Sequence, residues 1–146
     1  MAVRPDLGRV HAAALRPLWL ATYAQAAILA VVAIGGVEFV GVAGAALFAG
    51  GPALLQLVFA TLGRAPQRCR VCMVLATSAS GFLALSTVGG LLGLEHLDGP
   101  AGDGLAFQLV CFALAALHLG VARPCWSRAN AAADAARASI ALFDEL

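Results

Sequence analysis

Two ionisable side chains lie close to long apolar runs of this sequence and are the first candidates for chemistry. Glu38 follows Gly35-Gly36 at the edge of one run, and His118 lies inside another, about one and a half turns before Arg123. If these runs cross a membrane, ionisable groups in them are functional candidates by default. We expect Glu38 to be a solvated carboxylate and His118 a neutral imidazole bonded to another helix, with a proton relay or ligand site as the alternative.

The cysteines suggest a second chemistry. Cys69 and Cys72 have a CxxC spacing between flanking arginines, and Cys125 could approach them from a later part of the chain. Such a group could form a soft-metal or thiol-redox site. A single CxxC is weak support and there is no second pair, so we expect no metal site and no structural disulfide.

Other catalytic and cofactor-binding patterns are missing from the sequence. No P-loop, GxSxG or HExxH motif is present. His96 and His118 are separated by the length of the last apolar run, roughly 30 Å as a helix, which is too far to clamp one haem iron. We therefore expect no cofactor and no enzymatic activity.

The composition favours a membrane protein. The 146 residues are 62% hydrophobic and 12% charged, with a mean hydropathy of +0.91, whereas soluble domains are about 45 to 50% apolar. The nine basic residues other than histidine are all arginine, and eight acids leave a net charge of +1. Because the chain has no surplus of basic residues, we do not expect a nucleic acid as its partner.

Four segments approach the roughly 20 apolar residues that a membrane-spanning helix needs. They are residues 15–34, 37–62, 71–94 and 105–122, separated by Gly35-Gly36, the 63–70 loop and the 95–104 loop, and ended by Arg123-Pro124. The sequence predicts an all-α integral membrane protein, a single domain of four transmembrane helices in an up-down bundle. The competing interpretation is that residues 1–34 form a signal peptide.

The arginines predict the orientation. With these segments, every arginine falls in the N-terminal arm, the 63–70 loop or the C-terminal tail, while Glu38, Glu95, Asp98 and Asp103 fall on the opposite side. Loops rich in positive charge stay on the cytoplasmic side. We expect both termini there, in a bacterial inner membrane, or on the matrix or stromal side of an organelle inner membrane.

Small residues recur at helical spacing in all four segments, as in membrane helices that pack closely. The predicted packing positions are Thr22, Ala26, Ala30, Gly41, Ala45, Gly89, Gly93, Ala116 and Gly120. They could serve packing within the bundle or a face for self-association or a partner. Gly51 and Pro52 predict a kink in the second segment, which in a transporter could expose backbone groups to an ion.

The C-terminal tail is predicted to form an amphipathic helix over about residues 127–145, with Ser127 as its N-cap. Its apolar face is small and its charges are mixed. These features suit contact with protein better than with anionic lipid. The helix could dock on a partner or lie on its own bundle.

The residues around the first predicted turn resemble a known family. Gly35, Gly36, Val37, Glu38 and Phe39, followed by Gly41 and Gly50-Gly51, look like the first hairpin of the small four-helix subunit of actinobacterial cytochrome c oxidases. The short 63–70 loop differs from the longer, aromatic loop of that family. The resemblance implies an accessory subunit.

These features together predict a non-catalytic accessory subunit of a larger membrane complex, of a respiratory or other energy-transducing kind. Its expected partners are membrane lipid and other membrane protein subunits. A small homo-oligomeric transporter or channel is the first alternative, resting on Pro52, Glu38 and His118. A thiol or metal protein using Cys69, Cys72 and Cys125 is the second.

Overall fold

The computed structural model describes the backbone of residues 6–93 and 101–144. Within these ranges every element is helical and no strand is present. The elements are α1 (Leu7–Ala14), α2 (Arg16–Ala45), a π-helix (Ala46–Gly50), α3 (Gly51–Leu62), α4 (Pro66–Gly93) and α5 (Ala101–Asp144).

Within the described residues, three helical stretches are long and apolar enough to cross a membrane: Arg16–Leu62, Pro66–Gly90 and Gly104–Leu142. Large apolar side chains such as Ile34, Phe82 and Leu85 point outward and are more than 70% exposed. Polar side chains such as Gln56 and Ser80 are fully buried instead. This inverted distribution suits a hydrocarbon surrounding and indicates an integral membrane protein.

The prediction of a turn at Gly35-Gly36 is wrong, because both glycines lie within α2. The break lies at Gly41, whose φ of 73° and ψ of 170° depart from helical geometry. An L side chain rarely adopts this conformation, and glycine adopts it freely. The chain reverses direction there, and the two arms pack against each other. The indole Nε1 of Trp19, before the break, donates to the carbonyl of Ala60, after it, at 2.7 Å.

The kink expected at Gly51-Pro52 takes the form of a widened turn. Residues Ala46–Gly50 form a π-helix, and the N–H of Gly51 donates to the carbonyl of Ala46. Pro52 then lies in the first turn of α3, where its missing N–H removes little. A π-turn of this kind accommodates the proline without ending the span.

The prediction of a separate C-terminal helix is also wrong, because α5 continues through Pro124 as one helix to Asp144. Ser127 therefore lies inside a helix and caps nothing. At 1.5 Å per residue α5 is about 66 Å long, roughly twice the thickness of a bilayer core. Its distal part keeps the expected amphipathic pattern, with Ala129 and Ala133 buried and Arg128 exposed.

The short helix α1 packs against α4 and α5 at the arginine-rich end of the bundle. Asp6 caps it by accepting a hydrogen bond from the N–H of Gly8 at 2.9 Å. The buried His11 donates from Nδ1 to the carbonyl of Leu7 at 2.8 Å. We call this end of the molecule the arginine end.

Two apolar clusters fill the bundle. The cluster at the arginine end contains Leu15, Leu18, Cys69, Cys72, Met73, Ala122, Cys125 and Ala129. The inner cluster contains Leu29, Ala49, Ala53, Leu83, Phe107, Cys111 and Ala115. On α2, α4 and α5 a stretch of chain separates the members of the two clusters, and that stretch carries buried polar side chains.

Candidate functional site

Five buried polar side chains form a layer between the two apolar clusters. They come from every long helix and are at most 4% exposed: Thr22 and Gln25 on α2, Gln56 on α3, Ser80 on α4 and His118 on α5. We call this group the polar layer. In hydrocarbon, each of these groups needs a partner within the protein, so the layer constrains how the four helical segments meet.

His118 is at the centre of the hydrogen bonding, and its Nε2–H tautomer is compatible with every contact. The hydroxyl of Thr22 donates to the carbonyl of Leu18 at 2.8 Å, so it accepts from the imidazole Nε2–H at 3.0 Å. The other ring nitrogen, Nδ1, then accepts from the Ser80 hydroxyl at 2.8 Å. Both nitrogens of a neutral imidazole are satisfied in this way.

The two glutamines pair across α2 and α3. The amide Nε2 of Gln56 donates to Oε1 of Gln25 at 2.9 Å and to the Ser80 hydroxyl at 2.8 Å. Nε2 of Gln25 and Oε1 of Gln56 have no partner. Exchanging oxygen and nitrogen in both amides preserves the pair and again leaves one donor and one acceptor.

The layer can also bond a protonated imidazole. Both ring nitrogens of His118 would then donate, Nε2 to Thr22 and Nδ1 to Ser80. The Ser80 hydroxyl would turn toward Oε1 of Gln25, which lies 3.2 Å away. The arrangement can therefore hold a proton without stranding a donor, although no carboxylate takes part in these bonds to offset its charge.

A second polar position lies farther from the arginine end. Gln108 on α5 is 8% exposed, and its Oε1 has no partner among the described residues. It packs against Gly90 so closely that a Cβ there would lie 2.8 Å from that oxygen. The position of the Gln108 amide therefore requires the missing side chain of Gly90 in α4.

Glu38 does not join His118. It is exposed near the reversal at Gly41. Sixteen residues of α2 separate it from Thr22, or about 24 Å along the helix. The structure therefore does not form a combined site from the two ionisable residues that the sequence singled out.

The cysteines are buried rather than reactive at a surface. Cys69, Cys72 and Cys125 all lie in the apolar cluster at the arginine end, and Cys111 lies in the inner cluster. All four are free thiols. Among the residues that the structure describes, no three His, Cys, Asp or Glu side chains are grouped so as to hold a metal ion.

The predicted packing positions divide between the inside and outside of the bundle. Thr22, Ala26 and Ala45 are buried. The exposed positions are Ala30, Gly41, Gly89, Ala116 and Gly120. An added Cβ would meet nothing within 4 Å at Gly89 or Gly120. The surroundings of Gly93 lie outside the part of the chain that is described.

Sequence reasoning found His118 and Thr22 but missed Gln25, Gln56 and Ser80. A usable signal was present, because each is an uncharged hydrogen-bonding residue inside an otherwise apolar run. Their shared level becomes visible only when the chain reversal is placed at Gly41.

The chain was compared with models of protein families, with curated proteins and with solved structures. None of these comparisons finds a match. The Gly35-Gly36 pair that resembles the oxidase-subunit hairpin lies within a helix here, away from the turn.

Proposed function

We propose that the chain crosses the membrane four times and serves as a non-catalytic subunit of a larger membrane assembly. The count of four follows from dividing Arg16–Leu62 at Gly41. The Trp19–Ala60 bond and the Gln25–Gln56 pair support this division, because both join α2 to α3 in an antiparallel arrangement.

The proposed orientation places the arginine end in the cytoplasm, or in the matrix or stroma of an organelle. Arg16, Arg64 and Arg68 lie near helix boundaries at this end, while Arg123 and Arg137 lie within α5. With four spans, both termini share that side. The tendency of arginine-rich segments to stay on the inner side of the membrane supports this orientation.

The observation that carries the subunit proposal is the outward position of small residues on α4 and α5. Gly89, Ala116 and Gly120 are exposed, and an added Cβ at either glycine meets open space. Small residues let helix backbones approach closely in a membrane, where apolar burial against lipid gives no driving force. Among the described residues they have no such role, so we assign them to contact with neighbouring subunits.

Bulky substitutions on this surface test the proposal. Gly120→Leu and Gly89→Leu should leave the chain folded, because nothing opposes the new side chain, yet should reduce co-purification with its partners about tenfold or more. Leu117→Ile is the matched control, since it alters an exposed residue of α5 without adding bulk. Unchanged partner recovery in both glycine variants would contradict the proposal.

A transporter is the second candidate, and the polar layer is the observation that favours it. His118 can bond in either protonation state, and the π-turn before Pro52 interrupts a span. Apolar clusters close the layer on both sides, however, which favours the subunit role. Proton flux into proteoliposomes that His118→Ala and Pro52→Ala both abolish would support transport, and flux unaffected by both would count against it.

A further inference from the structure

We propose that α2 and α3 form a binding site for one anionic phospholipid from the leaflet at the arginine end. The site has two parts that meet at Trp19 and Tyr23. A headgroup crevice of about 210 Å³ is lined by Ala12, Arg16, Trp19, Gly63, Arg64 and Cys69. An apolar groove of about 570 Å³ begins at Tyr23 and follows α2 and α3 into the membrane.

The aromatic residues between the two parts hold an arginine in place. The Trp19 and Tyr23 rings meet edge to face with centroids 4.8 Å apart. The guanidinium of Arg64 lies over both, 5.9 Å and 5.7 Å from their centroids. The Tyr23 hydroxyl lies 3.1 Å from that of Thr61, which further fixes the ring. Arg64 is thereby positioned above the start of the groove.

The crevice carries positive charge, and none of the described carboxylates acts as its counter-ion. Within residues 6–93 and 101–144, ion pairs join Arg9 to Asp6 and Arg137 to Asp134, and no carboxylate pairs with Arg16 or Arg64. Guanidinium groups bind phosphate oxygens through two parallel hydrogen bonds. Two arginines facing one crevice at a membrane surface therefore suit a phosphodiester.

The groove has the dimensions and lining of an acyl-chain site. It runs along α2 from Tyr23 to Ile34, about 16 Å at 1.5 Å per residue, which is about half of the hydrocarbon core and so one leaflet. Ala26, Ala30 and Gly50 form part of its walls. Their small size leaves room for a chain beside the helices and explains why Ala30 is exposed.

The charges at its mouth distinguish this groove from a helix-docking surface. An apolar helix could cover the alanines but would offer no anionic group to Arg16 and Arg64. A phospholipid satisfies both parts with one molecule. This proposal does not depend on the subunit role, because the small residues assigned to that role lie on α4 and α5.

The test measures lipid binding by the delipidated protein in detergent. We expect native mass spectrometry to show one retained phosphatidylglycerol, and thermal unfolding to shift upward with phosphatidylglycerol more than with phosphatidylcholine. Arg16→Gln with Arg64→Gln should weaken that binding about 30-fold. Ala30→Leu, which fills the groove, should weaken it without altering charge.

The matched control is Arg70→Gln with Arg128→Gln, which removes the same charge from exposed positions at the same end. The control should bind as the wild type does. Equal binding of the two lipids, an equal loss in the control or a full thermal shift with inorganic phosphate alone would overturn the proposal. A second protein chain cross-linked into the groove would do so too.

Discussion

At the scale of single residues, amides and hydroxyls rather than ion pairs join the helices in the part of the chain that the structure describes. Gln25, Gln56, Ser80 and His118 bond to one another across four helical segments while remaining almost fully buried. Interhelical hydrogen bonds in membranes contribute about 0.6 kcal/mol on average, so no single bond fixes the bundle. Their connection in one layer gives a defined relative position to all the long helices.

A double-mutant cycle tests the glutamine pair. Gln25→Leu and Gln56→Leu should each lower the free energy of unfolding by about 1 to 2 kcal/mol, because each strands the polar atoms of its partner. The double variant should cost less than the sum by about 1 kcal/mol, since it removes both amides. Unfolding measured in detergent gives the three values. Strict additivity would contradict the pairing.

Sequence reasoning reached only part of this layer for a physical reason. His118 stands out because an ionisable group is costly in hydrocarbon. Uncharged residues such as Gln25 and Ser80 are tolerated in many spans, and only the packed fold shows that they meet. Small residues are equally ambiguous, since Ala26 is buried and Ala116 is exposed although both have helical spacing.

At the scale of elements, glycine was the least reliable sign of where a helix ends. Gly36 lies inside α2, where the Phe107 ring of α5 occupies the place that a Cβ would take. Gly41 supplies the reversal through its positive φ. Both positions require glycine, one for close packing and one for backbone conformation, and the sequence does not distinguish these reasons.

Alanine substitutions at the adjacent glycines test the continuity of α2. Gly36→Ala should lower the free energy of unfolding by about 1 to 3 kcal/mol, because its Cβ overlaps Phe107. Gly35→Ala is the matched control, where nothing lies within 4 Å. It should be neutral or stabilising by up to about 1 kcal/mol through helix propensity. Equal destabilisation by both would indicate a turn at this pair.

Proline was also a weak sign of where an element ends. Pro124 lies within α5, which continues for another 20 residues to Asp144. Packing helps stabilise the helix beyond the proline, since Ala129 is buried in the arginine-end cluster together with Leu15. The sequence predicted the amphipathic face correctly, and tertiary packing outweighed the local propensity to break.

At the scale of the whole molecule, the proposed four spans predict which residues share a side of the membrane. Arg68→Cys and Arg137→Cys should react with a membrane-impermeant maleimide from one side, and Glu38→Cys from the other. All three positions are exposed, while the four native cysteines are buried, so the wild type serves as the unlabelled control. Labelling of Glu38→Cys from the same side as Arg68→Cys would contradict the four-span arrangement.

We propose that this chain works as part of a larger membrane assembly. The most direct measurement is extraction from its native membrane in a mild detergent, followed by sizing and mass spectrometry of the intact particle. We predict a particle in which the chain occurs in fixed stoichiometry with larger membrane subunits. A uniform particle that contains only copies of this chain would contradict the claim.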